Sequence, residues 1–353
     1  MKGKQGMVCM GLLLVLSSCH TGKQITASGL QRKDFQTEVN GQHTDLFTLS
    51  NKQGMEVCIT NYGARVVSIL VPDRNGKRED VVCGFSTITE YMEQRQNFGS
   101  TVGRYIGRIL NARFTLDGVE YKLVPNNGKS GHISHGGNPG FADRIWKVEQ
   151  ADTHRVRLSY LSPDGENGFP GNLKVTLVYS LGEDDNALDL TYEATTDAPT
   201  VLNLSHHSFF NISGNFTKSV EDQQLWVDAD RFTPYDDKKC VTGEYLPVAG
   251  TPLDFRMPHT IGECIDADHP QLKVVNGYDH TWELNTKGDD TRPAAWVYDP
   301  ASGRKMEIFT TEPGMQIYTG NGLKGKMTGK GGIAYPFRSA VCFETMHFQD
   351  SPN

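Results

Sequence analysis

Sustained helical periodicity is almost absent from this 353-residue chain, so strands must supply most of its regular structure. Basic charge is in short supply as well. The 35 lysines and arginines face 42 acidic residues, for a formal net charge of -7, which gives no support to nucleic-acid binding. No apolar run reaches transmembrane length. No low-charge or Pro/Ser-rich tract argues for disorder, and a hydrophobic content of 37% is ample for a core. Cysteine occurs seven times but never as a Cys-x-x-Cys pair, which removes the usual zinc and redox motifs. Of the residues that remain after Cys9 and Cys19, Cys58, Cys83 and Cys342 lie in apolar strand-like runs. Buried free thiols are therefore the expectation for most of that odd set, which also contains Cys240 and Cys264.

What is present begins at the N-terminus. Lys2 and Lys4 precede a short apolar run at 7–16, and Leu16-Ser17-Ser18-Cys19 matches a bacterial lipobox. The reading is a lipoprotein signal peptide over 1–19 with lipidation at Cys19, against an ordinary signal peptide with an incidental cysteine. A short tether over 20–29 would follow. The expectation is membrane association only through this anchor, at the periplasmic or outer-membrane face of the cell envelope.

Beyond the tether, strand composition runs from end to end. The segments 65–71, 174–180, 189–194, 200–210 and 225–229 are rich in β-branched and aromatic residues. Residues 295–298 and 305–311 flank Asp299-Pro300-Ala301-Ser302-Gly303 and read as a hairpin. The best short helix is 87–94. Turn residues recur about every ten positions, with no repeat and no mid-chain linker. These features point to an all-β protein, one large antiparallel β domain over 30–353 with long loops.

Glu344 breaks the pattern. It stands within Ala340-Val341-Cys342-Phe343-Glu344-Thr345-Met346, an apolar strand-like run in which an ionised carboxylate is costly to desolvate. The position suggests a general base with raised proton affinity, against a bland alternative of an edge strand with Glu344 facing water. Alternation along 201–209 puts Asn203, Ser205 and His207 on one face and Leu202, Leu204 and His206 on the other. His207 then faces a hydrophilic cleft, while His206 faces packing and needs a hydrogen-bond partner.

Two motifs are decoys. Gly320-Asn321-Gly322-Leu323-Lys324-Gly325-Lys326-Met327 nearly matches a phosphate-binding loop, but Met327 stands where Ser or Thr would hold magnesium, and no helix pattern follows. The spacing of His132, His135, His206 and His207 matches no zinc signature, so no metal site is expected there.

Six short strings remain: Gly103-Arg104-Tyr105-Ile106-Gly107-Arg108; Ser134-His135-Gly136-Gly137; Ser205-His206-His207-Ser208-Phe209-Phe210-Asn211; Gly277-Tyr278-Asp279-His280; Pro313-Gly314-Met315-Gln316-Ile317-Tyr318; and Cys342-Phe343-Glu344-Thr345. In this order they resemble the aldose 1-epimerase, or galactose mutarotase, family, from about residue 53 to the end. The resemblance implies a large antiparallel β supersandwich that interconverts the α and β anomers of aldohexoses such as galactose and glucose. It implies Glu344 as base, His207 as acid, and Arg108, His135, Asp279 and Gln316 as ligands of the sugar. It implies no cofactor for the chemistry and leaves a structural cation such as calcium open. The expected partner is a small aldose, with no nucleic acid, and the expected state is a monomer.

Three departures accompany the resemblance. The family usually has Asn where Gly107 precedes the binding arginine, so one sugar contact is missing or supplied elsewhere. It commonly has Asn where His206 precedes the acid. The chain also stops soon after the Glu344 string, where one or two further strands are usual, so an absent or truncated sandwich edge is the expectation. Alternatives are a non-catalytic sugar-binding protein on the same fold and a glycosidase using Asp279 and Glu344 as a carboxylate pair. A relative acting on hexose 6-phosphates is another, although no additional Arg/Lys cluster accompanies the strings.

Overall fold

The structure, a computed structural model, describes residues 24–353. The signal peptide and Cys19 lie outside the described residues. Residues 24–29, the described part of the expected tether, are held against the domain. The Ala27 amide donates to Glu56 Oε1 at 2.6 Å, and Ser28 Oγ lies 3.0 Å from Ser68 Oγ.

Four antiparallel sheets of four or more strands carry the architecture. The first runs Leu46–Ser50, Glu56–Thr60, Arg65–Pro72, Arg78–Asp80, and the second is the meander Lys147–Ala151, Arg155–Ser162, Leu173–Leu181, Leu188–Thr196. Period two explains their packing. Leu173, Val175, Leu177, Tyr179 and Leu181 all point inward from one strand and meet Val57, Val66, Trp146 and Leu158 in a shared core. Each fully buried side chain of this kind contributes roughly 1.5–3 kcal/mol.

The third sheet has six strands in the spatial order Phe209–Phe210, Val341–Met346, Gly314–Tyr318, Asp279–Leu284, Ala229–Thr233, Leu246–Pro247. One of its faces supplies Trp282, Met315, Ile317, Val341 and Phe343 to a second core. There they meet Leu225, Val227 and Val297 of the fourth sheet, ordered His259–Thr260, Gln224–Val227, Ala295–Tyr298, Lys305–Ile308. The domain is thus an all-β assembly of sheets packed face to face, as expected.

The expected hairpin is present, with Ala295 opposite Ile308 and Tyr298 opposite Lys305. The expected helix is Ile88–Gln94, started by Thr87, whose hydroxyl accepts from the Glu90 amide while Glu90 caps in return. All five described cysteines are free, with Cys58, Cys83 and Cys342 buried.

Two runs read as single strands are each divided between sheets. Residues 225–229 break at Asp228, which accepts from Asn285 Nδ2 and Arg292 Nη1 where the chain leaves the fourth sheet for the third. Residues 200–210 break at Ser208. Ser205–His207 pairs with Ser100–Val102, whereas Phe209–Phe210 pairs with Val341 and Cys342.

Candidate active site

The free face of the six-stranded sheet is polar where the opposite face is core. In register, Thr281 lies opposite Gln316, Gln316 opposite Glu344, Asp279 opposite Tyr318, and Tyr318 opposite Cys342. Alternation therefore puts Asp279, Thr281, Gln316, Tyr318, Cys342 and Glu344 on one side. The strand of Glu344 is interior, flanked by strands on both sides, and Glu344 is 4% exposed. The edge-strand alternative for this residue is overturned.

His207 reaches the same place from the break at Ser208. Because Phe209 pairs with Cys342, the residue two positions earlier is delivered alongside Glu344. His207 Nε2 lies 3.4 Å from Glu344 Oε1, and the Cys342 thiol lies 3.7 Å from His207 Nδ1. The ring stacks on Phe209 at 5.1 Å between centroids and meets the His135 ring edge-on at 5.5 Å.

Arg108 and His135 arrive together on a two-stranded ribbon in which Ser134 pairs with Arg108. His135 has a φ of 52°, in the left-handed region. Gly136 follows at 78°, and a Cβ there would lie 1.9 Å from the Gly103 carbonyl oxygen. Glycine is therefore required at Gly136 in this turn. The Gly107 amide donates to His135 Nδ1 at 3.4 Å, which leaves Nε2 as the protonated nitrogen of the neutral ring. Arg108 Nη1 donates to the Lys239 carbonyl at 3.2 Å and its guanidinium lies 5.9 Å from the Tyr235 ring centre.

Gly107, Arg108, Ser134, His135, His207, Tyr235, Asp279, Gln316, Tyr318, Glu344, Met346 and Gln349 line one cavity of about 180 Å³. Drug-sized sites run to about 300–1,000 Å³, so this one suits a single sugar ring. A larger and shallower groove of about 750 Å³ runs past Phe47, Asn61 and Val148, and it gathers none of the motif residues.

All six candidate site residues named from the sequence thus meet in one pocket. Tyr235 and Gln349 were not foreseen. Tyr235 lies in an irregular segment after Ala229–Thr233, and Gln349 lies in the turn after Val341–Met346. Neither carries a periodic signal. Of the polar face read along 201–209, only His207 lines the pocket. Asn203 instead clamps the chain after the Glu344 strand, donating to the His347 carbonyl and accepting from the His347 amide, each at 3.0 Å. His206 faces packing as expected, with Nε2 2.7 Å from Ser208 Oγ and its ring near Tyr179.

Burial dominates the electrostatics. It holds His207 well below the usual histidine value, with His135 adding to the effect. It raises Glu344 well above the usual carboxylate value, and Asp279 pushes in the same direction. Burial also raises Asp279 despite opposition from Arg108 and the Gln316 hydrogen bond. His135 is lowered to about 4, first by burial and then by Arg108. Donor atoms of His207, Cys342 and Glu344 lie within 4.8 Å of one another. The thiol and the carboxylate flank different nitrogens of the ring, which suits proton exchange better than a shared ion.

A family model for aldose 1-epimerase matches residues 45–353. A galactose mutarotase from Sus scrofa is 38% identical over 307 residues, 87% of this chain and 86% of that protein. The aldose 1-epimerase of Escherichia coli (strain K12) is 35% identical over 314 residues, 89% of each chain. The crystal structure of an aldose epimerase homologue from C. elegans superposes with a TM-score of 0.80 at 30% identity, covering 88% of this chain and 91% of that one. A galactose 1-epimerase structure from Lactobacillus acidophilus NCFM gives 0.78 at 28% identity, covering 90% of each. Fold and site together define a sugar isomerase of the supersandwich type. This chain belongs to the aldose 1-epimerase family.

Proposed function

We propose that the pocket interconverts the α and β anomers of free aldohexoses such as galactose and glucose, with Glu344 as base and His207 as acid. Carboxylate and imidazole stand 3.4 Å apart in a buried cavity, and this carries the reading. The two oxygens that must exchange protons, the C1 hydroxyl and the ring oxygen, are attached to the same carbon, so their acid and base must be close neighbours.

Glu344 takes the C1 hydroxyl proton as His207 protonates the ring oxygen. The C1–ring oxygen bond breaks, a C1 aldehyde forms, and rotation about C1–C2 presents its other face. Ring closure runs the two transfers in reverse, so each proton is returned and nothing is consumed. Arg108, Asp279, Gln316 and the Nε2–H of His135 would hold hydroxyls and keep the open sugar in place. Burial favours the uncharged arrangement of this pair, with its one proton on Glu344; a bound sugar, whose C1 hydroxyl donates to Glu344 and whose ring oxygen accepts from His207, would favour transfer of that proton to His207 and so prepare the ring opening. Operation as a monomer belongs to the same proposal, as does a place at the cell envelope, for which the lipobox at Cys19 is the support.

Polarimetry of α-galactose and α-glucose tests it. The protein should accelerate mutarotation, and Glu344→Gln should lose at least about 10²-fold in rate while remaining folded, since a positioned proton transfer is typically worth about 10²–10⁴-fold. Full rate in that variant would remove the base assignment. Sugar binding without acceleration by the unaltered protein would favour a non-catalytic binder.

A further inference from the structure

We infer that Gln349 is a substrate-binding residue, presenting its side-chain carbonyl to an aldose hydroxyl at the end of a polarised chain that starts at Asp279. The inference rests on the reading of the cavity as an aldose site.

Gln349 is 9% exposed and lines the pocket. Its orientation follows from its neighbours. Gln316 Nε2 donates to Asp279 Oδ1 at 2.6 Å, which turns Gln316 Oε1 away from the carboxylate. That oxygen accepts from Thr281 Oγ1 at 2.5 Å and from Gln349 Nε2 at 3.3 Å. Gln349 Nε2 also donates to the Tyr235 hydroxyl at 2.7 Å. Both amide hydrogens of Gln349 are thereby engaged, and its Oε1 has no partner among the described residues. An amide flip would set two carbonyl oxygens against each other. An acceptor that opens on the cavity and has no partner among the described residues is placed to receive a donor, and a sugar hydroxyl is one.

The backbone holds this side chain ready. On one side of it, His347 is clamped by Asn203. On the other, the Asp350 amide donates to the Arg108 carbonyl at 2.8 Å, and Asp350 Oδ1 accepts from the Leu110 amide at 2.8 Å. Gly107 leaves the necessary space. A Cβ at that position would lie 2.7 Å from Gln349 Cγ, so any larger residue there competes with Gln349 for the same wall.

Calorimetric dissociation constants of galactose, glucose and their monodeoxy derivatives test this, on the unaltered protein, Gln349→Ala and the similarly sized Gln349→Met. A neutral hydrogen bond is worth about 1 kcal/mol, so both variants should bind the parent sugars roughly 3–10-fold more weakly. For one monodeoxy sugar, the one that lacks the hydroxyl received by Gln349, protein and variants should bind alike. Unchanged affinity in both Gln349 variants would overturn the inference. So would an equal loss for every sugar in the series, or no binding of any of them by the unaltered protein. Polarimetry on the same samples reports separately on the catalytic reading, because a protein that binds but does not epimerise still displays the role of Gln349.

Discussion

Glu344 is held where its charged form is expensive, and that cost has a sign. Burial and Asp279 raise its proton affinity in the folded protein above the ordinary value of 4.5. The folded state therefore holds a proton that the unfolded chain releases. The stability this lends is fully present below about pH 4.5 and is lost as pH rises through the folded value. Glu344→Gln should melt at a higher temperature than the unaltered protein at neutral and alkaline pH, with the gap closing below about pH 4.5. Calorimetric scans across pH check this, and a variant less stable at neutral pH would contradict it. The same anomaly made Glu344 legible in the sequence, since an ionisable side chain within an apolar run stands out. Tyr235 and Gln349 were not legible. Single polar residues in irregular segments leave no period, and their role depends on partners more than a hundred and about thirty residues away.

At the level of elements, composition located most strands and failed where the chain changes sheets. The runs 200–210 and 225–229 contain strand-forming residues such as Val201, Phe209, Trp226 and Val227, and nothing in that composition marks Ser208 or Asp228 as a change of sheet. Side-chain preference reports a pleated, half-buried surface without saying which sheet owns it. The His-Gly-Gly string, by contrast, was picked out through the family resemblance, and the structure supplies the geometric reason for its first glycine. Gly136→Ala would drive a Cβ to 1.9 Å from the Gly103 carbonyl oxygen at a φ of 78°. Backbone strain alone costs about 1–3 kcal/mol, and the turn must move to relieve the collision. The expected outcome is a lower denaturant midpoint and a raised KM, because the shifted turn carries His135 with it. An unchanged KM would show that His135 is not needed for sugar binding.

At the scale of the whole molecule, an all-β domain followed from turn spacing and the lack of helical period, whereas the spatial order of the six-stranded sheet did not. That order joins strands from 209 to 346 through pairings that no local pattern encodes. The closed interior has a further cost in acid. His135, His206 and His280 are lowered to about 4, 3 and 3 by burial, and His207 lies well below its ordinary value for the same reason. Each is neutral when folded and protonates more readily when unfolded. The stability this lends is present above about pH 6.5 and is lost as pH falls, by up to roughly 1.4 kcal/mol per pH unit for each histidine within its window. Urea midpoints should fall steadily below pH 6.5, and His280→Gln should flatten part of that fall. A flat profile down to pH 4 would contradict it. The pairing of Phe209 with Cys342 has a different consequence. His207 and Glu344 meet where one sheet gives way to the next, with Gln316 opposite Glu344 on the same ladder, while Arg108 and His135 come from a separate two-stranded ribbon. Under the proposed chemistry, changes in that ribbon can revise which sugar is accepted while leaving the His207–Glu344 pair in place.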